Sequence, residues 1–279
     1  EPYRRQRQMC IRDRYDNMNA FFRTNGYDEV FSQEDYPADK VVNSFGVQDD
    51  FLYDYAIPVL NQRAATGQPF FATLLSISNH PPYVIPPFFH PKTSEPETQI
   101  VEYADWALRQ FFEEARKQPW FDNTIFVLEG DHGKLVGDAE CELPESYNHI
   151  PLMIYSSRIQ PEEKTTFGGQ VDIQPTILGL LNIDYLQNNF GVDLLKEERP
   201  CMFYTADNMV VGRNDTLLYL YNYETQQELT YDIGNGKLNA VPMDDSFLPL
   251  KEYSFSMLQS AEFLVKHGKT LNSIPFTQQ

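Results

Sequence analysis

The stretch from residue 69 to residue 130 constrains the fold of this chain more than any other. It reads as an apolar run, a long amphipathic segment and a second apolar run: "PFFATLLSIS", "ETQIVEYADWALRQFFEEARKQ", "NTIFVLEG". In the middle segment Ile100, Tyr103, Ala104, Ala107, Leu108, Phe111, Phe112 and Ala115 recur at the spacing of one helix face, which gives a stripe suited to packing on a sheet. The first run is nearly continuous in apolar residues and of strand length, the pattern of a strand covered on both faces. Between it and the helix, "NHPPYVIPPFFHP" carries five prolines, which exclude helix and force an extended loop. "HIPLMIYSS" predicts a further strand, and "VDIQPTILGLLNI" a short helix with Pro175 in its first turn.

Upstream, "YDNMNAFFRTNGYDEVF" predicts a short helix closed by Asn25-Gly26, followed by an extended piece. "DDFLYDYAIPVLNQRAATG" predicts a helix with Phe51, Tyr55, Val59 and Leu60 on one face and Gly67 beyond its end. Strands alternating with helices imply an α/β layered domain with a largely parallel central sheet. After about residue 200 the texture changes. "CMFYTADNMVVGRNDTLLYLYNYETQQELTYDI" reads as strand, turn, strand, turn, strand, with Asn214-Asp215 as one turn, and "PLKEYSFSMLQSAEFLVKHGK" closes as an amphipathic helix. The expected division is a leader at 1–14, the α/β domain at 15–199, and an antiparallel unit with its helix at 200–279. The leader stands apart because Arg4, Arg5, Arg7, Arg12 and Arg14 crowd into an otherwise acidic protein. It resembles translated adapter sequence rather than part of the folded domain.

The 40 acidic and 22 basic residues give a net charge of −18, which repels phosphate backbones and argues against a nucleic-acid partner. No apolar run reaches the roughly 18 residues that cross a bilayer. Cys10, Cys141 and Cys201 show no metal-ligand spacing, and lone thiols are expected rather than a Cys141–Cys201 disulfide.

In open α/β sheets ligands bind beyond the carboxyl ends of the strands. Three of the five histidines stand at strand junctions: His80 after "FFATLLSIS", His132 after "TIFVLEG", and His149 before "IPLMIY". Asp131-His132 pairs a carboxylate with an imidazole, which suits a divalent cation, and Gly130 and Gly133 on either side let the backbone approach closely and permit the chain to turn so that both side chains reach one ion. A satisfied structural histidine, or a turn with a polar tip, is the competing reading of these residues.

The segments "SISNHPPYVIP", "VEYADWALRQFFEEARKQPWFDNTIFVLEGDHG", "YNHIPLMIYSS" and "QVDIQPTILGLLNI", in this order, resemble the sulfatase-like branch of the alkaline phosphatase superfamily, and within it the lipoteichoic acid synthase-like proteins. The resemblance spans roughly residues 15 to 270 and is specific to the superfamily rather than to a substrate. It implies an alkaline phosphatase-like layered domain. It gives Asp131 and His132 the role of metal ligands, for Mn²⁺ or Zn²⁺ with Ca²⁺ and Mg²⁺ as alternatives. It gives His80, and less directly His149, contact with the substrate's phosphate or head group. Asp105 and Asp172 also match family positions and read as helix-packing or capping residues.

The resemblance further implies a phosphodiester or sulfate ester substrate such as a phospholipid head group, transferred or hydrolysed at the extracytoplasmic face of a membrane. The family's nucleophile and its upstream acidic ligand have no counterpart here, and the formylglycine signature is absent. The expectation is therefore a domain incomplete at its N-terminus, with nucleophile and membrane segment encoded upstream, and inactive as it stands. A hydrolase releasing its product to water is the second reading. A degenerate, non-catalytic binding or scaffold domain is the third.

Overall fold

The computed structural model describes residues 18–135, 137–187, 189–234 and 236–269, together with the backbone of Gln6–Cys10. The chain forms two compact units, one of Glu1–Phe126 with Ile154–Ile159, the other of Val127–Met153 with Gln160–Gln279. Strands β1 (Gln6–Cys10), β2 (Glu29–Phe31) and β5 (Phe70–Leu74) of the first unit form a parallel sheet in the order β2-β1-β5. Helix α1 (Met18–Thr24) ends as expected at Gly26, whose φ of 88° only glycine adopts freely. A short antiparallel pair, β3 (Val41–Asn43) and β4 (Gly46–Val47), leads into helix α2 (Asp49–Ala64), and α3 (Pro96–Ala115) follows the proline-rich loop.

The core of this unit joins Leu52, Ala56, Ile57 and Leu60 of α2 to Phe111 and Ala115 of α3, with Tyr36, Trp120 and Phe121 around them. The Trp120 indole donates to Asn61 Oδ1 at 2.7 Å, so this large ring is buried with its polar atom satisfied. Of the stripe predicted on α3, Ile100, Tyr103, Ala107, Phe111 and Ala115 are buried, and Ala104, Leu108 and Phe112 flank them half-buried. The face of α2 is not the predicted one: Phe51, Tyr55 and Val59 are only half-buried. The helix packs on two sides, with the Tyr55 ring edge-to-face with Tyr36 (4.9 Å) and Tyr53 against Phe111 (5.2 Å), so its apolar arc is wider than one stripe. The expectation that β5 is covered on both faces also fails, since Phe71 is 46% exposed on a strand at the sheet's described edge. The backbone of Gln6–Cys10, within the stretch set aside as a leader, runs between β2 and β5. Strand pairing uses main-chain groups and places little demand on side-chain composition. Residues 1–5 and 11–14 of that stretch lie outside the described residues.

At the head of α2 the Asp49 carboxylate, 1% exposed, accepts from the amides of Ile77 and Ser78, both at 3.0 Å. Ser78 Oγ in turn accepts from the Asp49 amide and donates to Gln48. The start of α2 is thus fastened to the segment that runs from β5 into Asn79-His80.

Strands β6 (Phe126–Glu129) and β7 (Leu152–Tyr155) pair with each other and carry the chain from the first unit to the second and back. In the second unit, helix α4 (Gln170–Leu180) starts earlier than its sequence suggests, which puts Pro175 in the helix interior rather than its first turn. The start is fixed by Asp172, fully buried, whose carboxylate accepts from Gly169 N (2.8 Å), Val192 N (2.8 Å) and the Arg199 guanidinium (2.9 Å). Pro175 removes the helical partner of the Val171 carbonyl. The chain passes so close to that oxygen at Gly191 that a Cβ there would sit 2.1 Å from it. Asp172 is therefore a cap, as read. Asp105 is exposed and pairs with Arg109 on the surface, so it is neither packing nor cap.

The C-terminal strands β8 (Met202–Ala206), β9 (Met209–Arg213), β10 (Leu217–Asn222), β11 (Gln227–Gly234) and β12 (Lys237–Ala240) form one antiparallel meander, and α5 (Leu248–Lys266) packs on it. There are five strands where the sequence showed three. Four of the five lie in the stretch read as three and β12 follows it; the turns at Asp207-Asn208 and Gln226 use non-glycine residues with positive φ that carry no Asn-Gly signal. Cys141 and Cys201 are free thiols, as expected.

Burial pushes the Asp49 carboxyl above its ordinary value of 3.8, partly offset by its bonds from Ser78 and Ile77. The native chain then keeps a proton that the unfolded chain has released, so stability falls as pH rises from 3.8 through the native value and levels off above it. Asp49→Asn removes this dependence. Denaturation midpoints measured between about pH 4 and pH 8 are expected to fall for wild type relative to the variant as pH rises; parallel curves would contradict the buried-carboxyl argument.

Candidate metal centre

The chain leaves β6 at Glu129 and turns through Gly130–Gly133. Three contacts hold this turn: Gly130 N donates to Pro151 O at 3.4 Å, Gly133 N donates to Tyr147 O at 2.8 Å, and Gln170 Nε2 donates to the carbonyls of Gly130 (3.3 Å) and Asp131 (3.0 Å). Neither glycine has a positive φ, so the expected pair of conformational hinges is not what the backbone uses. The requirement is steric and falls on Gly133, where a Cβ would lie 1.9 Å from the Ser146 carbonyl oxygen. At Gly130 the nearest atom would be Ile150 Cβ at 3.4 Å, close to ordinary contact.

The turn brings the two adjacent side chains round to one side. Asp131 Oδ1 accepts from His132 N at 2.9 Å, and its Oδ2 lies 3.8 Å from His132 Nε2. His132 Nδ1 lies 2.8 Å from Gly133 O, an acceptor, so Nδ1 donates there and Nε2 is the ring nitrogen left to face an ion. A metal-ligating imidazole is oriented in this way. Donors each about 2.0–2.2 Å from one ion stand some 3–4 Å apart, and the observed 3.8 Å fits that separation. Both side chains are 69% exposed and accessible to an ion from solvent. Glu129 is pushed above the usual carboxylate range by burial and by the charge of Asp131. The donor chemistry thus fits half of a metal's ligand set; no group of three or more His, Cys, Asp or Glu is placed to hold an ion among the described residues.

His149 follows a single 3₁₀ turn, Glu145–Tyr147, and its amide donates to Glu145 O at 2.8 Å. Glu145 is ion-paired with Arg213 at the end of β9, and Leu143, 1% exposed, is inserted among Met209, Val211, Leu218, Leu220 and Tyr231. One segment therefore supports both His149 and the Gly133 side of the Asp131-His132 turn. His80 belongs to the first unit, where its amide donates to Ile77 O (3.0 Å) and its ring lies 4.1 Å from that of Phe45. Sequence reasoning did not single out Gln170, Glu145 or Arg213. The available signal for Gln170 was its position at the head of "QVDIQPT". Glu145 and Arg213 are brought together only by the tertiary fold. Gly133→Ala is expected to displace the turn and lower both stability and any metal affinity, whereas Gly130→Ala leaves both within about 0.5 kcal/mol. Equal tolerance of the two changes, by thermal melting and metal titration, would contradict the close approach at Gly133.

Residues 11–183 match the sulfatase family. Over 243 residues the chain is 27% identical to lipoteichoic acid synthase 1 of Bacillus subtilis (strain 168), covering 79% of this chain and 36% of that protein. Lipoteichoic acid synthase 2 of the same strain is 26% identical, with 65% and 31% covered. The chain thus spans about a third of the length of these curated relatives. A protein of the alkaline phosphatase superfamily from Vibrio parahaemolyticus superposes with a TM-score of 0.79 at 26% identity, over 92% of this chain and 65% of that one. The lipoteichoic acid synthase LtaP from Listeria monocytogenes superposes with a TM-score of 0.78 at 21% identity, over 98% and 72%. These superpositions show an alkaline phosphatase-like α/β fold, and the family match takes in well over half of the chain: it belongs to the sulfatase family, within the alkaline phosphatase superfamily.

Proposed function

We propose that the protein is part of a metal-dependent transferase of the lipoteichoic acid synthase type, acting on the phosphodiester of a phospholipid head group at the extracytoplasmic face of a membrane. The observation that carries this reading is the paired Asp131 carboxylate and His132 Nε2, on a turn inside the family-matched region of a chain similar to lipoteichoic acid synthases. Asp131 and His132 hold the ion, Mn²⁺ or Zn²⁺ with Ca²⁺ and Mg²⁺ as alternatives. When bound, it neutralises charge on the transferring group and lowers the pKa of the attacking hydroxyl. His80 contacts the non-bridging oxygens or gives a proton to the leaving group, with His149 assisting. The nucleophile and the remaining ligands come from sequence N-terminal to this domain. Among the described residues no helix is long and apolar enough to cross a membrane, so the proposed membrane attachment also lies outside them.

The family match equally supports a second outcome, hydrolysis of a sulfate ester or phosphodiester with water as acceptor. A non-catalytic scaffold is the outcome if the whole protein lacks a nucleophile.

The test is turnover and metal content of the intact gene product. Its substrates are vesicles containing phosphatidylglycerol, a soluble phosphodiester and a soluble sulfate ester. Asp131→Ala and His132→Ala are expected to lose both metal and turnover. His80→Ala is expected to keep its metal while kcat/KM falls by about 10²–10⁴-fold, the usual contribution of a proton donor or oxyanion contact. Turnover of the sulfate ester alone would replace the transferase reading with a sulfatase. A His132→Ala protein that keeps metal and rate would end the metal-centre reading.

A further inference from the structure

The Asp131-His132 turn is exposed, yet its main chain is tightly placed, and one side chain accounts for much of that. Gln170 Nε2 lies 3.3 Å from Gly130 O and 3.0 Å from Asp131 O. Both partners are carbonyls, which only accept, so the amide must present its NH₂ group to the turn. The bonds from Gly130 N to Pro151 O and from Gly133 N to Tyr147 O fasten the turn by its amides, whereas Gln170 holds it by its carbonyls.

Gln170 is well founded for this task. It is the first residue of α4, and the helix start beneath it is fixed two residues later by Asp172, which is fully buried and paired with Arg199. Its own side chain is exposed and touches no core cluster, so its contribution to global stability is small. The arrangement therefore joins a rigid helix terminus to the backbone of an exposed ligand pair through one neutral amide.

We propose that Gln170 is a positioning residue for the metal centre, holding the Asp131 peptide so that the Asp131 carboxylate and His132 Nε2 face one ion before it binds. The proposal rests on the assignment of Asp131 and His132 as ligands. Without the amide the turn has to be ordered at the moment of binding, and affinity falls by the cost of that ordering. Outer-shell partners of metal ligands change affinity by about 10–100-fold when removed.

The experiment compares wild type, Gln170→Glu, Gln170→Met and Asp131→Ala in the intact protein. Mn²⁺ and Zn²⁺ affinity is measured by titration calorimetry, amide hydrogen exchange at residues 130–133 is followed without metal, and thermal midpoints are recorded. Gln170→Met keeps the length and removes the donors. Gln170→Glu sets a carboxylate against two carbonyls. Both are expected to bind metal about 10–100-fold more weakly and to exchange faster across the turn, Glu more so than Met, with midpoints within about 2 °C of wild type. Unchanged affinity in both variants, alongside lost binding in Asp131→Ala, would overturn the role of Gln170 and leave the ligand assignment standing. Unchanged affinity in Asp131→Ala would instead remove the ligand assignment and the proposal with it. A large fall in the midpoint of both Gln170 variants would show a structural role and overturn the proposal.

Discussion

A carboxylate with no access to water, Asp172, decides where α4 begins, and the residues around the Asp131-His132 turn depend on that decision. Its two oxygens meet the Gly169 and Val192 amides and the Arg199 guanidinium, which also donates to the Phe190 carbonyl. A buried pair of this kind contributes little net stability compared with a well-packed apolar substitute. Removing one partner, however, typically costs about 3–5 kcal/mol, because the other charge is left stranded. Its effect here is geometric. It holds the helix start in one place, brings the Val192 segment against it, and sets Gln170 within reach of the carbonyls of the turn. The other side of the turn has a separate support in the Glu145–Tyr147 segment, which Leu143 and Arg213 fasten to the antiparallel sheet.

This arrangement gives the C-terminal strands a role beyond covering a core. In β9 the residue Arg213 forms an ion pair with Glu145, and Tyr231 of β11 donates its hydroxyl to Glu142. Both acidic residues lie in the stretch between the turn and His149. A change in the meander can therefore reach Gly133 and His149 through a few bonded residues without altering either ligand.

Much of the architecture is legible in the sequence because it rests on period and punctuation. The α3 stripe, the Asn25-Gly26 stop and the Asn214 turn are local signals, and each sits where its residues place it. The misreadings share a cause. The face of α2, the exposure of β5 and the interior place of Pro175 are each settled by what packs nearby, which a periodic pattern does not encode. The site divides in the same way. The turn was visible as Gly-Asp-His-Gly, and the close approach expected of its glycines falls on Gly133, without the hinge torsions also expected of the pair. Its supports, Gln170 and Glu145, are distant in sequence and polar, with nothing local to mark them.

The central claim is that Asp131 and His132 bind one ion between them. Anomalous diffraction at the manganese edge, from crystals of the intact protein equilibrated with Mn²⁺, tests it most directly. A single peak is expected within about 2.0–2.3 Å of both an Asp131 carboxylate oxygen and His132 Nε2, with His132 Nδ1 still directed at the Gly133 carbonyl. A peak that touches neither side chain, or an Asp131-His132 turn empty while manganese occupies another site, would contradict it.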